Sequence, residues 1–259
     1  MPKVEQHAPG MFCWVELSTS DQESAKKFYS ALFAWTSTDF PSGPDGQIYT
    51  IFSLSGDSAA AVYTASVEEL AMVPPHWNLY VTVESADQTA ALAAELGGKV
   101  IAGPFDAGDF GRMAVIQDPT GTAISVWQAH SHKGIGVEHE GGTFCWADLS
   151  SPDPDRAKRF YESLFGWSIA PDAKYPPEYL IIESGGKAIG GVAPAAFRKP
   201  DTPPHWMIFF MVEDADSATA KARELGGAVL MTAPGGMKMS IIADPQGAPF
   251  SIIQPPQQN

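Results

Sequence analysis

Two kinds of hydrophobic spacing alternate along the first third of the chain. The apolar segment from Phe12 to Leu17 is typical of a strand. Ser20 and Glu23 then form a predicted capping box, and apolar side chains recur every three or four positions after it, at Ala25, Phe28, Tyr29, Leu32 and Phe33. This spacing predicts an amphipathic helix behind a strand.

A second unit repeats this order. It has a predicted strand from Asn78 to Val83, followed by a helix that Ser85 and Gln88 cap and Gly97 ends. Short strands are predicted after each helix: Gln47 to Leu54 and Ala60 to Thr64 in the first unit, then Val100 to Ile101, Met113 to Ile116 and Ala123 to Trp127 in the second. Both units therefore have a strand, a helix and further strands.

The pair of units occurs twice. FCWVEL at Phe12 recurs as FCWADL at Phe144, and FYSALFAW at Phe28 recurs as FYESLFGW at Phe160. The segments PPHW and LGG and the turn DPTG, which returns as DPQG, also appear in both halves in the same order. Such self-similarity indicates a duplicated domain.

The second half has its own helix starts. Asp153 with Pro154 is predicted to open one helix and Asp214 the other. Between the halves the chain is polar and rich in Gly and His, as in a domain boundary. The sequence predicts two domains and a linker: residues 1–128, 129–143 and 144–259.

These motifs resemble the vicinal oxygen chelate superfamily, which includes glyoxalase I, the bleomycin-resistance proteins and the extradiol dioxygenases. The similarity covers nearly the whole chain, and Ala34 in place of the usual Gly is the only departure within the helix motif. The resemblance implies an α+β fold, a tandem duplication of paired β-α-β-β-β modules. Four modules would form two cup-shaped half-open barrels, each with a site on its concave face.

The resemblance also implies positions for a divalent metal ion. In metal-dependent relatives, His, Gln or Glu on the first strand of each module and Glu on its last strand bind the ion. The matching positions here are Trp14, Asn78 and Ser125 in the first half, and Trp146, Met207 and Ser251 in the second. Because the usual ligands are missing from all six, we expect neither a metal nor another cofactor. A relocated metal site using Glu16 and His76 stays open.

Composition narrows the possible partners. The formal charge of −14 and the pI near 4.7 disfavour binding to nucleic acid. No apolar run approaches the roughly 20 residues of a membrane helix, and the first residues lack the pattern of a signal peptide, so the expected location is cytoplasmic. Cys13 and Cys145 are expected to be small buried residues. The oligomeric state stays undetermined.

Strand alternation predicts which side chains line the first cup. Glu16 and His76 are the candidate acid–base pair for catalysis. The predicted ligand-binding residues are Trp14, Asn78, Tyr80, Ser125 and Trp127. Core packing is an equally good interpretation of the two tryptophans, and His76 could have a structural role at the entrance to its strand.

The second cup is predicted to be more apolar and filled by its own Met and Phe side chains. Its predicted lining is Trp146, Asp148, His205, Met207, Phe209, Met211, Ser251 and Ile253. His205, like His76, follows Pro-Pro and could be structural. A carboxylate facing inward, as Glu16 and Asp148 do, is costly to bury without a partner.

Three functions remain open. The first is a protein that binds a small polar or aromatic metabolite in the N-terminal cup. The second is a metal-independent or relocated-metal enzyme of the lyase or dioxygenase type that uses Glu16 and His76. The third is an interaction scaffold built from the duplicated domains.

Several basic and histidine side chains outside the cups are expected to be solvated. His130, His132 and His139 are predicted to be exposed in the linker, where they could also bind zinc adventitiously. His7 is predicted to lie in a loose N-terminal arm. Two basic residues at equivalent positions, Arg112 and Lys238, could guide an anionic ligand or be solvated.

Overall fold

The computed structural model describes residues 3–42, 46–198, 201–233 and 237–256. Its first half contains two β-α-β-β-β modules. The elements in chain order are β1 Phe12–Thr19, α1 Gln22–Phe33, β2 Thr36–Ser42, β3 Gln47–Leu54, β4 Asp57–Thr64, α2 Val67–Met72, β5 His76–Thr82, α3 Ala86–Glu95, β6 Lys99–Ala107, β7 Gly111–Gln117 and β8 Ala123–Ala129.

The second half repeats this order, with a short 3₁₀ helix at Ala195–Phe197 in place of the helix between the modules. Its elements are β9 Phe144–Ser150, α4 Pro154–Phe165, β10 Ser168–Pro171, β11 Leu180–Ser184, β12 Lys187–Val192, β13 His205–Met211, α5 Ala215–Glu224, β14 Ala228–Thr232, β15 Met239–Ala243 and β16 Pro249–Ile253.

Each half forms one eight-stranded mixed sheet. The orders are β2-β3-β4-β1-β5-β8-β7-β6 and β10-β11-β12-β9-β13-β16-β15-β14. The first strands of the two modules pair antiparallel at the centre, and each pairs in parallel with the last strand of its own module. The first sheet is curled into a half-barrel. The predicted α+β fold of duplicated modules is therefore confirmed.

Helix boundaries test the sequence-based caps. Ser85, Asp153 and Asp214 each accept a hydrogen bond from the first turn of their helix, as predicted. The predicted cap at Ser20 is wrong by one residue, since Asp21 accepts from the Ser24 amide at 3.0 Å. The end of α1 shows why the family motif usually has glycine where this chain has Ala34: the residue has a left-handed φ of 57°, a conformation that favours glycine.

The recurrent helix and turn motifs meet where the two halves pack together. α1 contacts α5, and α3 contacts α4. The Tyr29 hydroxyl of the first FY motif donates to Asp244 of the second DPxG turn at 3.0 Å, and the Trp77 indole donates to the same hydroxyl at 3.1 Å. Because the bond joins residues far apart in sequence, it fixes one half against the other.

The linker is packed against the first sheet. The Ile135 amide donates to the Cys13 carbonyl at 2.8 Å, and the Gly136 amide donates to the Ser58 carbonyl at 2.7 Å. The prediction of a loose arm at His7 is wrong, because this side chain is buried and its Nε2 lies 3.0 Å from the Ile135 carbonyl. The apolar residues of the linker pack inward, which explains why the linker lies against the sheet.

Candidate functional site

Glu16 lies at the centre of the first cup. Its side chain is on β1, opposite Asn78 of β5. Tyr49 donates to one carboxylate oxygen at 2.7 Å, and Tyr80 donates to the other at 2.8 Å. The Trp14 indole donates to the Tyr49 hydroxyl at 3.1 Å. Two phenols and an indole thus form one hydrogen-bonded network around a single carboxylate.

Burial governs the electrostatics of this network. Glu16 is 9% exposed, and loss of solvation raises its pKa above the usual value although the hydrogen bonds from Tyr49 and Tyr80 act in the opposite direction. Burial and the nearby carboxylate raise the pKa of both tyrosines as well. The phenols therefore remain donors at neutral pH, while Glu16 accepts a proton more readily, and releases it less readily, than an exposed glutamate.

The second half contains a similar cluster, with one phenol instead of two. On β9, Asp148 accepts from the Tyr179 hydroxyl at 2.5 Å and from the Trp146 indole at 2.9 Å. The tyrosines correspond, since Tyr49 precedes TIF in the first half and Tyr179 precedes LII in the second. Burial raises the pKa of Asp148 to about 6. Duplication has therefore kept a Trp–carboxylate–Tyr cluster in both cups.

One end of the first cup is covered by the linker. The ring of His132 lies edge-on to Trp14 with centroids 4.5 Å apart, and its carbonyl accepts from the Trp127 indole at 3.0 Å. The prediction that His132 is solvated is therefore wrong, and burial lowers its pKa to about 4. The other two predicted linker histidines, His130 and His139, are exposed as expected.

Four of the predicted ligand-binding residues are buried. Trp14, Tyr80, Ser125 and Trp127 are between 2% and 7% exposed, so they form the floor of the cup. Their hydrogen bonds and ring contacts are to other residues of the chain. The half-buried members of the predicted set are His76 and Asn78.

The more open end of the cup is polar. His76 Nδ1 lies 2.8 Å from the Pro74 carbonyl, and its Nε2 lies 3.1 Å from the Asn78 side chain. Nearby on α2, Glu69 accepts from Ser18 at 2.8 Å and from Tyr63 at 2.6 Å. The hydrogen-bond partners of Glu16 are the two tyrosines, and His76 pairs with Asn78, so the structure does not join Glu16 and His76 directly.

Arg112 and Lys238 bind carboxylates of this chain. The Arg112 guanidinium contacts Asp87 at 2.7 Å and Asp106 at 3.0 Å, and Lys238 contacts Asp216 at 2.5 Å. In each half the basic residue is therefore paired with an acidic residue of a helix, Asp87 of α3 or Asp216 of α5. The suggestion that either residue guides an anionic ligand therefore gains no support.

The site residues missed by sequence reasoning are mainly tyrosines and one acidic residue. Tyr49 and Tyr179 reach the carboxylates from strands or loops across the cup, and Glu69 lies on a short helix that was not predicted. The sequence could have indicated the tyrosines, because they occupy equivalent positions in the two halves. Within the described ranges, no three His, Cys, Asp or Glu side chains are grouped as in a metal centre.

Two eight-stranded sheets of paired β-α-β-β-β modules, each with a hydrogen-bonded carboxylate on a central strand, define the class of protein. A family model described as Glyoxalase/Bleomycin resistance protein/Dioxygenase superfamily matches residues 12–126, and one described as Glyoxalase-like domain matches residues 146–253. The chain belongs to the Glyoxalase/Bleomycin resistance protein/Dioxygenase superfamily, which confirms the resemblance.

Relatives match along nearly the whole chain. "Putative glyoxylase CFP32" of Mycobacterium tuberculosis (strain CDC 1551 / Oshkosh) is 37% identical over 263 residues, covering 100% of both chains. "Anthracycline biosynthesis protein DauV" of Streptomyces sp. (strain C5) is 31% identical over 279 residues, covering 97% of this chain and 95% of the relative.

Solved structures share the fold at low identity. The Mn(II)-bound glyoxalase from Novosphingobium aromaticivorans matches with a TM-score of 0.62 and 16% identity, over 95% of this chain and 82% of that one. The 2,3-dioxygenase LapB from Pseudomonas sp. KL28 matches with a TM-score of 0.63 and 12% identity, over 96% of this chain and 93% of that one. Among the described helices, none is long and apolar enough to cross a membrane.

Proposed function

We propose that this protein binds a small polar or aromatic metabolite in its N-terminal cup without the help of a metal ion. The observation that carries the proposal is the hydrogen-bonded cluster of Glu16, Tyr49 and Tyr80 on the concave face. A carboxylate oxygen can accept more than one hydrogen bond. Glu16 therefore keeps the capacity to accept from a hydroxyl or amine of a ligand.

A purely structural role accounts poorly for this cluster. Burying a carboxylate costs stability even when it is hydrogen-bonded, and the raised pKa of Glu16 reflects that cost. An apolar residue at this position would pack without the cost of burying a carboxylate. The same costly arrangement occurs at Asp148 in the other half, which supports selection for a function of the carboxylate.

The ligand would enter from the end formed by His76 and Asn78. Both side chains are half-buried and polar, whereas the opposite end is covered by His132. A few polar groups converging on an aromatic wall are typical of small-molecule sites. In this arrangement Asn78 and Glu16 orient polar groups of the ligand, while Tyr80 and Trp14 form the floor beneath it.

The metal implied by the superfamily does not fit these residues. At the position of the first-strand ligand, the Trp14 indole nitrogen can only donate, and it donates to Tyr49. The Asn78 side chain faces His76, and Ser125 is an uncharged hydroxyl. Divalent ions of this family need several carboxylate or imidazole ligands, which these three positions do not supply.

The relatives' names point to small-molecule chemistry. DauV and DnrV, the latter from Streptomyces peucetius, are named anthracycline biosynthesis proteins. CFP32 is named as a glyoxylase, and the raised pKa of Glu16 would suit proton transfer in an enzyme. The enzymatic alternative keeps Glu16 as its acid–base group, with His76 acting through Asn78.

Nuclear magnetic resonance of the tryptophan indoles would test the proposal. The chelator-treated protein is titrated with a panel of mono- and dihydroxylated benzenes and naphthalenes, and the indole N–H signals of Trp14 and Trp127 are followed. We expect saturable shifts of these signals with part of the panel. The shifts should disappear in Asn78→Met and persist in the matched variant Met207→Asn, because the latter lies in the other cup.

The outcome also separates the two functions. Failure of every compound to move Trp14 or Trp127, or shifts that survive Asn78→Met unchanged, would refute binding in the N-terminal cup. Product formation from a bound compound, abolished in Glu16→Gln with retained binding, would favour the enzymatic alternative.

A further inference from the structure

An open cleft of about 300 Å³ lies where the two halves of the chain meet. The first half contributes Leu96, at the end of α3, and Pro119 of the DPTG turn. The second half contributes four side chains of α4, namely Arg156, Arg159, Phe160 and Ser163. The cleft shares no residue with the clusters around Glu16 and Asp148, so it is a separate feature of the molecule.

Two arginines give this cleft a positive charge. Arg156 and Arg159 are exposed and three positions apart on α4, so they lie on the same side of the helix. None of the described residues that line the cleft is acidic. The whole chain has 30 acidic and 16 basic residues. The cleft therefore has the opposite charge to the rest of the protein.

Neither guanidinium is paired with a carboxylate in the described ranges. The basic residue between them, Lys158, forms an ion pair with Glu162 at 3.2 Å. Asp155 lies four positions before Arg159, a spacing that suits an ion pair, but none is formed. The only hydrogen bond from Arg156 to a side chain comes from its backbone amide, at the helix cap. The N–H donors of both guanidiniums are therefore available to an external acceptor.

The duplication provides an internal comparison. In the other half, Ser24 corresponds to Arg156, and Gln246 of the DPQG turn corresponds to Thr120. The Gln246 amide donates to Ser24 Oγ at 2.8 Å and thereby joins the two halves. Thr120 is shorter and accepts from Ser151 Oγ at 3.0 Å instead. At this boundary the turn thus leaves the α4 arginine without a partner.

The lining of the cleft favours one kind of anion. A single guanidinium already matches a carboxylate through two parallel hydrogen bonds. Two neighbouring guanidiniums match a group with more charge and three acceptor oxygens, as in a phosphate monoester. Leu96, Pro119 and Phe160 add an apolar wall beside the charges. A volume of about 300 Å³ suits a compact organic molecule.

We infer that this cleft binds a small phosphate monoester with an apolar body. Arg156 and Arg159 donate to the phosphate oxygens, and the body of the ligand lies against Leu96 and Phe160. Because the ligand contacts both halves, its binding also stabilises the boundary between them. The inference does not depend on the function proposed for the N-terminal cup.

The probe for the test is phenyl phosphate at pH 7.5 and low salt, where its phosphate is mostly a dianion. It is titrated into the full chain while the arginine Nε–Hε signals are followed by nuclear magnetic resonance, assigned by their loss in single Arg→Gln variants. We expect saturable shifts of Arg156 and Arg159. Benzoate, which has one charge, and inorganic phosphate, which has no apolar body, should each bind about tenfold more weakly.

Three variants and one control decide the assignment. Arg156→Gln and Arg159→Gln should each weaken binding of phenyl phosphate about tenfold, because each removes one charged donor group. Leu96→Ala should weaken binding of phenyl phosphate more than that of inorganic phosphate. The matched control is Arg223→Gln, which removes an exposed charge from α5 outside the cleft and should leave binding unchanged. The dispersion of the amide spectra shows that each variant is folded.

Four results would overturn the inference. They are unchanged binding in the two cleft arginine variants, equal weakening by Arg223→Gln, equal binding of benzoate and phenyl phosphate, and equal binding of inorganic phosphate and phenyl phosphate. Failure of the aromatic panel to bind the N-terminal cup would refute only the function proposed for that cup, since no residue is shared.

Discussion

Replacing Asp148 with asparagine should stabilise the protein at neutral pH. Burial raises the pKa of this carboxyl from 3.8 to about 6. Because the folded chain then binds its proton more tightly than the unfolded chain, the wild type loses stability as pH rises from about 4 to about 6, and the loss is complete above that window. Asparagine is uncharged at every pH and has nearly the same shape.

The size of the gain in stability follows from the pKa shift of Asp148. A difference of about 2 pKa units corresponds to about 3 kcal/mol at 1.36 kcal/mol per unit. Asp148 is half-buried, so solvent screening reduces this figure, and we expect a gain of about 1–3 kcal/mol above pH 7. Near pH 3.5 the wild-type carboxyl is mostly protonated in both states, so the gain in stability should be small.

Urea unfolding followed by far-ultraviolet circular dichroism measures this difference. Wild type and Asp148→Asn are compared at pH 3.5, 5, 6 and 8, at low protein concentration because the pI is near 4.7. The exposed Glu178→Gln is a control for removal of one negative charge. A variant that is less stable than wild type at pH 8, or whose gain does not depend on pH, would refute the reasoning.

Other expected outcomes concern the helix ends, the interface and the thiols. Ala34→Gly should raise the thermal midpoint, because it removes the strain of a left-handed alanine, about 1 kcal/mol. Gly166 has a φ of 70° and open space for a Cβ, so Gly166→Ala should lower the midpoint by a similar amount. Tyr29→Phe should cost about 1–3 kcal/mol in urea unfolding, because Asp244 loses its donor from the other half, whereas wild-type stability would contradict this role. Cys13 is buried as predicted, whereas Cys145 is only half-buried. Because loss of solvation raises the pKa of both thiols to about 12, Ellman's reagent at pH 8 should react slowly until the protein is unfolded, and fast reaction of the native protein would contradict this.

Much of the fold could be predicted because its signals are local. Caps at Ser85, Asp153 and Asp214 lie within one turn of the groups they bind, and the repeated motifs revealed the duplication. The strand Thr36–Ser42 was missed because every side chain in it is exposed, so it has no apolar alternation. The helix Val67–Met72 was missed because it is short and buries no side chain.

The site was only partly predictable because its partners are distant in sequence. Alternation along β1 placed Trp14 and Glu16 on one face, as the Tyr49 contacts to both now show. Which tyrosine meets which carboxylate depends on sheet curvature and register, which one sequence does not reveal. His132 was misjudged because polarity alone suggested a solvated linker, whereas backbone hydrogen bonds and apolar linker residues hold it over the cup.

The metal content of the ligand-bound protein tests the central claim most directly. The protein is purified without chelator, saturated with the tightest-binding compound of the aromatic panel, dialysed and analysed by inductively coupled plasma mass spectrometry. A site built from Glu16, Tyr49 and Tyr80 without a metal predicts well under one manganese, iron, nickel or zinc ion per chain. One ion or more per chain, retained through dialysis and lost in Glu16→Gln or His76→Ala, would contradict it.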